Sequence, residues 1–187
     1  MEEQIIHKES KDKTSRERQT FYRVTFNNNS QLLKIADNKA NIIISINALV
    51  ISSMAALIGY GSISNQIESS EFGLQIPILL FVVFCLASTI LAIQAAKPKI
   101  VGKPRQKTDN PSLIFFGSVS HLSKDEYFAH LKKTMSSRQD IMDQMSTSLY
   151  YQSMVLNQKY RLLRYAYLAF SFGVIIGAIA FLTQLMA

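Results

Sequence analysis

The sequence predicts an all-α membrane protein: three transmembrane helices joined to a cytoplasmic helical bundle or coiled-coil region. Three observations predict it. Residues 40–61, 74–96 and 166–187 carry no charged side chain, although 18% of the 187 residues are charged. Each run exceeds the ~20 residues that cross ~30 Å of hydrocarbon at ~1.5 Å per residue. The intervening stretches 15–58 and 118–172 contain no Gly or Pro, which permits long uninterrupted helices.

In chain order this gives a disordered cytoplasmic N-terminus over 1–19, then a cytoplasmic helix over 20–39. The first span covers 40–61, an external loop 62–73, and the second span 74–96. A cytoplasmic linker and long helix occupy 97–164, and the third span 165–186. Lys and Arg set the direction. Lys34 and Lys39 precede the first span, and the 62–73 loop has only Glu68 and Glu71. Lys97, Lys99, Lys103, Arg105 and Lys107 follow the second span, and Lys159, Arg161 and Arg164 precede the third. Basic residues stay on the cytoplasmic side, so the N-terminus is inside and the C-terminus outside. Tyr60, Tyr160, Tyr165 and Tyr167 stand where interfacial anchors belong.

The formal charge of +7 is explained by these flanks and does not call for a nucleic-acid partner. Cys85 is the single cysteine and forms no intrachain disulfide. About forty residues, many charged, precede the first apolar run, unlike a signal peptide.

In the water-facing part, Pro98, Pro104, Pro111 and Gly102 mark an irregular linker at the inner leaflet. The short apolar run 113–117 either packs on the helices or dips into the interface. Ser123 with Glu126 reads as a capping box. Phe128, Leu131, Met135, Met142, Met145, Leu149, Leu156 and Leu163 form a heptad-like seam, interrupted at Arg138, Gln152 and Lys159. The long helix either runs on into the third span or doubles back near Asn157. Its seam serves either an intramolecular bundle with the N-terminal helix or an oligomerising coiled coil. The run Asn27, Asn28, Asn29 and Ser30 is a weak point in the N-terminal helix.

Small and polar residues recur at steps of three and four in every span. The first has Asn38, Asn41, Ser45, Ala48, Ser52, Ala55 and Gly59; the second Cys85, Ser88, Ala92 and Ala95; the third Ala169, Gly173 and Gly177. Such stripes let membrane helices approach closely, within one chain or in a homo-oligomer. The deepest polar groups are Asn41, Asn47, Thr89 and Gln94, with no ionisable residue at depth. That argues against a proton-coupled carrier. His7, His121 and His130 have no metal spacing, and no HExxH, CxxC or phosphate-cradling Gly-rich loop occurs. The expectation is a non-enzyme without cofactor or metal.

Residues 35–41 (Ile-Ala-Asp-Asn-Lys-Ala-Asn) stand at the mouth of the first span, with Phe21-Tyr22-Arg23-Val24-Thr25 upstream and Ile46-Asn47-Ala48 downstream. Ala95-Ala96-Lys97-Pro98-Lys99, the 113–117 run, residues 122–127 and residues 159–164 follow in order. With these elements the chain resembles the Pycsar effector transmembrane family (PycTM-like) from about Thr20 to its end. The resemblance implies a role in antiphage defence: a cyclase makes cyclic CMP or cyclic UMP on infection, and the effector impairs the inner membrane so that the cell dies. It implies a cyclic pyrimidine nucleotide and the lipid bilayer as partners.

A cyclic nucleotide needs cationic donors for its phosphate, a stacking surface and amides for the base edge. Lys39, Arg138, Arg161 and Arg164 are the candidate donors, Phe115, Phe116 and His121 the candidate stacking groups, and Asn38 and Asn41 the candidate base readers. Asp37 and Lys39 equally serve as a helix cap and headgroup anchor. If instead they carry the activity, Ala at either position abolishes killing without loss of insertion. Nucleotide binding would then shift the spans, and oligomers would open or disrupt the membrane. The alternative is a membrane-anchored scaffold whose coiled coil docks a partner without pore activity. A small channel unrelated to defence is a third reading.

Overall fold

The computed structural model describes residues 2–63, 72–98, 112–120 and 122–186. Among these, regular structure is entirely helical: α1 Glu2–Ile63, α2 Phe72–Ala96, α3 Phe116–Val119, α4 Lys124–Ser136 and α5 Arg138–Met186. Three stretches are long and apolar enough to cross a membrane, within Lys13–Tyr60, Ile76–Ala96 and Arg138–Thr183. The expected 62–73 loop and proline-rich linker fall mostly outside the described residues.

Three expectations change. Residues 2–19 are helical, not a disordered tail; the stretch is rich in Glu, Gln, Lys and Arg, which are good helix formers. The Asn27–Ser30 run does not break α1, because its side chains find partners on α5, described below. The long helix does break, at Ser137, whose backbone is extended at φ −127° and ψ 126°. Beyond that break α5 continues through the third apolar run without doubling back at Asn157. The capping box stands as read: Ser123 Oγ accepts from the Glu126 N–H, and the Ser123 N–H donates to the Glu126 carboxylate at 2.8 Å.

The residues divide into two compact units. The first, Met1–Leu33 with Pro98–Asn157, is the polar unit. Here α1 and α5 pair side by side. Tyr22 meets Ser146 at 2.7 Å, and Asn29 Nδ2 donates to Ser153 Oγ at 3.2 Å. Gln152 Nε2 donates to Ser30 Oγ at 2.9 Å. Partner numbers rise together, so the two helices run parallel. Gln144, Ser148, Gln152 and Val155 are buried, at steps of four, four and three. That spacing averages about 3.67 residues per turn and keeps the line on one face of a straight helix. The expected apolar seam is displaced: Phe128 and Met135 are exposed, and Met142, Met145, Leu149 and Leu156 are half-buried flanks. A heptad line drifts ~20° per repeat around a straight helix, and the Ser137 break resets its phase. The 113–117 run packs on α5, with the Leu113 N–H donating to Gln144 Oε1 at 2.8 Å.

The second unit, Lys34–Lys97 with Gln158–Ala187, is the membrane unit. Its core is layered. Ala40, Ala95 and Leu163 form one layer, and Ile43, Ala92 and Ala166 the next. Below them Asn47 Nδ2 donates to Ser88 Oγ at 3.0 Å, and Ser88 Oγ donates to the Ala166 carbonyl at 2.8 Å. Numbers on α2 fall as those on α1 and α5 rise, so α2 is antiparallel to the other two. Alanine at these positions lets backbones approach, which is how helices associate where lipid removes the hydrophobic drive. Large apolar side chains such as Leu49, Leu79, Phe172 and Phe181 point outward, as a hydrocarbon solvent permits.

Candidate functional site

The residues singled out in the sequence fall in both units. In the membrane unit Asp37 is half-buried and paired with Lys159, whose side chain is 7% exposed. A lysine that deep needs a counter-charge, so the Asp37 carboxylate is engaged by its own chain. Asn38, Lys39 and Asn41 are exposed, as are Arg161 and Arg164. Ser45, Ala48 and Ser52 also face outward, whereas Cys85, Ser88, Ala92 and Ala95 are all buried. Gly173 and Gly177 meet α2: a Cβ on Gly173 would lie 3.1 Å from Phe84 Cβ, and one on Gly177 3.1 Å from the Phe81 ring.

In the polar unit Phe115 packs on Tyr151, with ring centroids 5.6 Å apart. Arg138 is exposed at the first turn of α5. The Phe116 side chain and His121 lie outside the described residues. Among the described residues no group of three His, Cys, Asp or Glu side chains could hold a metal ion.

The polar unit also has a cleft that the sequence reading missed. It is an open groove of about 440 Å³ between α1 and α5. Thr14, Glu17, Arg18, Phe21 and Tyr22 line one wall, at helix steps of three, one, three and one; Gln139, Met142 and Asp143 line the other. None of the candidates chosen from the sequence lines it. Tyr22 fixes one wall. Ser146 Oγ donates to the Met142 carbonyl at 2.9 Å, so the Tyr22 hydroxyl donates to Ser146. Gln139 Nε2 donates to Asp143 Oδ1 at 3.2 Å on the other wall. Phe21 stands edge-on to Tyr22 at 5.9 Å and keeps 65% of its surface exposed. The cleft escaped notice because residues 1–19 read as a tail; the signal available was the alignment of Arg18, Phe21 and Tyr22 on one helical face.

A membrane unit of three spans and a polar unit with an open cleft between α1 and α5 make up the architecture. The family model of the Pycsar effector protein domain matches residues 21–184. The chain belongs to this family, PycTM. No curated protein and no solved structure matches it. The PycTM match takes in the first two apolar runs, nearly all of the third, and most of the cleft, including Phe21, Tyr22, Gln139 and Asp143, while Arg18 precedes it. Membership makes this an antiphage-defence membrane effector.

Proposed function

We propose that the protein is the membrane effector of a bacterial Pycsar antiphage system, activated by a cyclic pyrimidine nucleotide, cyclic CMP or cyclic UMP. Activation impairs the inner membrane and the infected cell dies before phage matures. The N-terminus and the polar unit face the cytoplasm, where the nucleotide is made, in keeping with the basic flanks of the spans. The effector acts without catalysis.

The observation that carries this reading is the match of the Pycsar effector protein domain to residues 21–184. The helices α1 and α5 each supply residues to both units. A ligand shifts such a device only if it binds the membrane-active state more tightly than the resting one. The outward line of Asn41, Ser45, Ala48 and Ser52 supports a homo-oligomer, because polar groups facing lipid gain hydrogen bonds and close packing from another copy.

The test is dye release from liposomes carrying the purified protein, with cyclic CMP, cyclic UMP and cyclic AMP added separately. Release with a cyclic pyrimidine and not with cyclic AMP is expected. No release from correctly inserted protein would replace this reading with that of a membrane-anchored scaffold.

A further inference from the structure

We propose that the exposed side of α1 is where a second copy of this chain docks, as a parallel, in-register, left-handed helix pair. This rests on the homo-oligomer of the reading above and gives it a surface and a geometry.

The outward faces of the three spans differ. On α2 the exposed positions include Ile76, Leu79, Val83, Leu86 and Ile90, and on α5 Leu168, Phe172, Ile175 and Ile179. Those faces suit hydrocarbon. On α1 the exposed side holds Asn38, Ser45, Ser52 and Gly59, each seven residues from the next. Between them stand Ile42, Leu49 and Ala56, also exposed and also seven apart. The two rows together advance by four and three, the period of a coiled-coil seam. Such a line drifts ~20° per heptad around a straight helix, and a left-handed crossing absorbs the drift.

Gly59 shows that this seam does not serve packing within one chain. A Cβ on Gly173 or Gly177 would stand 3.1 Å from Phe84 or Phe81 of α2, so those two glycines allow a contact inside the chain. A Cβ on Gly59 would meet nothing within 4 Å. Glycine weakens a helix relative to alanine, and a serine hydroxyl gains nothing from hydrocarbon. Against another helix the same small row permits close backbone approach and interhelical hydrogen bonds.

What the seam holds towards its N-terminal end commits the occupant. The register continues through Ile35, then Gln31 and Asn28, then Val24 and Phe21, all exposed. Phe21 is 65% and Val24 58% exposed, apolar surface within the polar unit. Polar residues in such a seam fix register at a cost in stability. A partner for the whole line needs apolar groups beside Phe21 and Val24, amides beside Asn28 and Gln31, and small polar groups within the span. Another α1, inserted with the same topology and therefore parallel, presents each of these at the matching height. Residues 21–59 make roughly 57 Å of helix at ~1.5 Å per residue, and a contact strip ~10 Å wide covers roughly 1,100 Å² summed over two copies. That clears the ~1,000 Å² expected of a specific interface. Lys34 and Lys39 flank the seam and are exposed, so their mutual repulsion across the pair is screened by salt.

The experiment is oxidative cross-linking of the full-length protein in liposomes, in a Cys85→Ala background. Single cysteines are placed on the seam by Ser45→Cys or Ser52→Cys, and on the other spans by Leu86→Cys or Leu168→Cys. Each is measured without nucleotide and with cyclic CMP or cyclic UMP. Disulfide-linked dimer at the seam positions is expected at about tenfold or more the level at the other two in at least one condition. Adding Ser52→Leu to Ser45→Cys should lower that dimer about fivefold or more, although leucine suits lipid better than serine, with the melting temperature in dilute detergent unchanged. Cross-linking no stronger on α1 than on α2 and α5, or a Ser52→Leu chain that dimerises as before, overturns the seam. Failure of the effector reading is separate. Dye release without seam cross-linking overturns the pairing and leaves that reading standing. A seam that cross-links in liposomes that never release dye upholds the pairing and removes nucleotide gating.

Discussion

The two units bury opposite chemistries to the ones their solvents suggest. The polar unit lines its helix pairing with Gln144, Ser148, Gln152, Asn29 and Ser15, while the membrane unit fills its centre with Ala40, Ala92, Ala95, Ala166 and Gly173. In water, half-buried flanks such as Met142, Met145, Leu149 and Leu156 supply apolar burial, and hydrogen-bonded amides and hydroxyls between them fix the register. In lipid, burial of apolar area gives no net gain, so closeness of backbones must supply the attraction. Among the described residues, Gln152 Oε1 in the polar unit and Asn47 Oδ1 in the membrane unit are nonetheless buried without a partner. The comparison says that packing defects should hurt the membrane unit most, and lost hydrogen bonds the polar unit only modestly.

The largest effect should come from Gly173→Leu. Even a Cβ there would stand 3.1 Å from Phe84 Cβ, so a full side chain must push α5 off α2. A loss of about 3 kcal/mol or more is expected, the upper end of overpacking costs, read as a drop in melting temperature in detergent. Gly177→Ala should cost less, because the Phe81 ring that it meets at 3.1 Å can turn. Equal effects at the two glycines would break the close-packing account.

Next comes Asp37→Ala. It strands Lys159, which is 7% exposed, and should cost about 2–3 kcal/mol, below the full penalty for a buried pair because Asp37 is 44% exposed. The double variant Asp37→Leu with Lys159→Met should recover most of that stability. If Asp37→Ala loses phage protection and the stable double variant regains it, Asp37 serves as Lys159's partner. If the double variant is stable and inactive, the carboxylate has a further role. Lys39, exposed beside it, provides the contrast: Lys39→Ala should leave the unfolding free energy within about 0.5 kcal/mol of wild type.

Ser88→Ala and Asn47→Leu should diverge in sign. Removing the Ser88 hydroxyl leaves both ends of the fully buried Asn47 amide unpaired and should cost about 1–3 kcal/mol. Asn47→Leu removes the orphaned acceptor along with the bond, and should be neutral or mildly stabilising. Unfolding of both in matched detergent would check this; equal losses would mean that the Asn47 carbonyl has a partner after all. In the polar unit Tyr22→Phe and Ser153→Ala should each cost only about 0.5–1.5 kcal/mol. Ser123→Ala should cost about 1 kcal/mol of α4 stability through its cap.

Much of the fold was legible because it follows from one-dimensional patterns. The apolar runs, the Ser123 to Glu126 box and the small residues of the second and third spans depend on spacing alone, and the structure buries Ser88, Ala92, Ala95 and Gly173 accordingly. The candidate site was far less legible. Choosing cations and aromatics near the span mouths selected Lys39, Arg161 and Arg164, which are exposed. The cleft residues Arg18, Phe21, Gln139 and Asp143 are more than a hundred positions apart across its two walls. No local pattern ties the two walls together.

By itself the sequence determined the class of solvent for each segment, the helical period and the caps, since these depend on the composition and spacing of neighbouring residues. Only the tertiary structure decided which face of each helix is buried. It chose the Gln144–Ser148–Gln152 line over the apolar heptads, and it left Ser45 and Ser52 facing outward while Asn47 turned inward. The physical reason is that a helix offers several plausible faces, and the choice among them depends on what its partners present: Ser30 and Ser153 to one amide each, Ser88 to another, and an aspartate to the buried lysine.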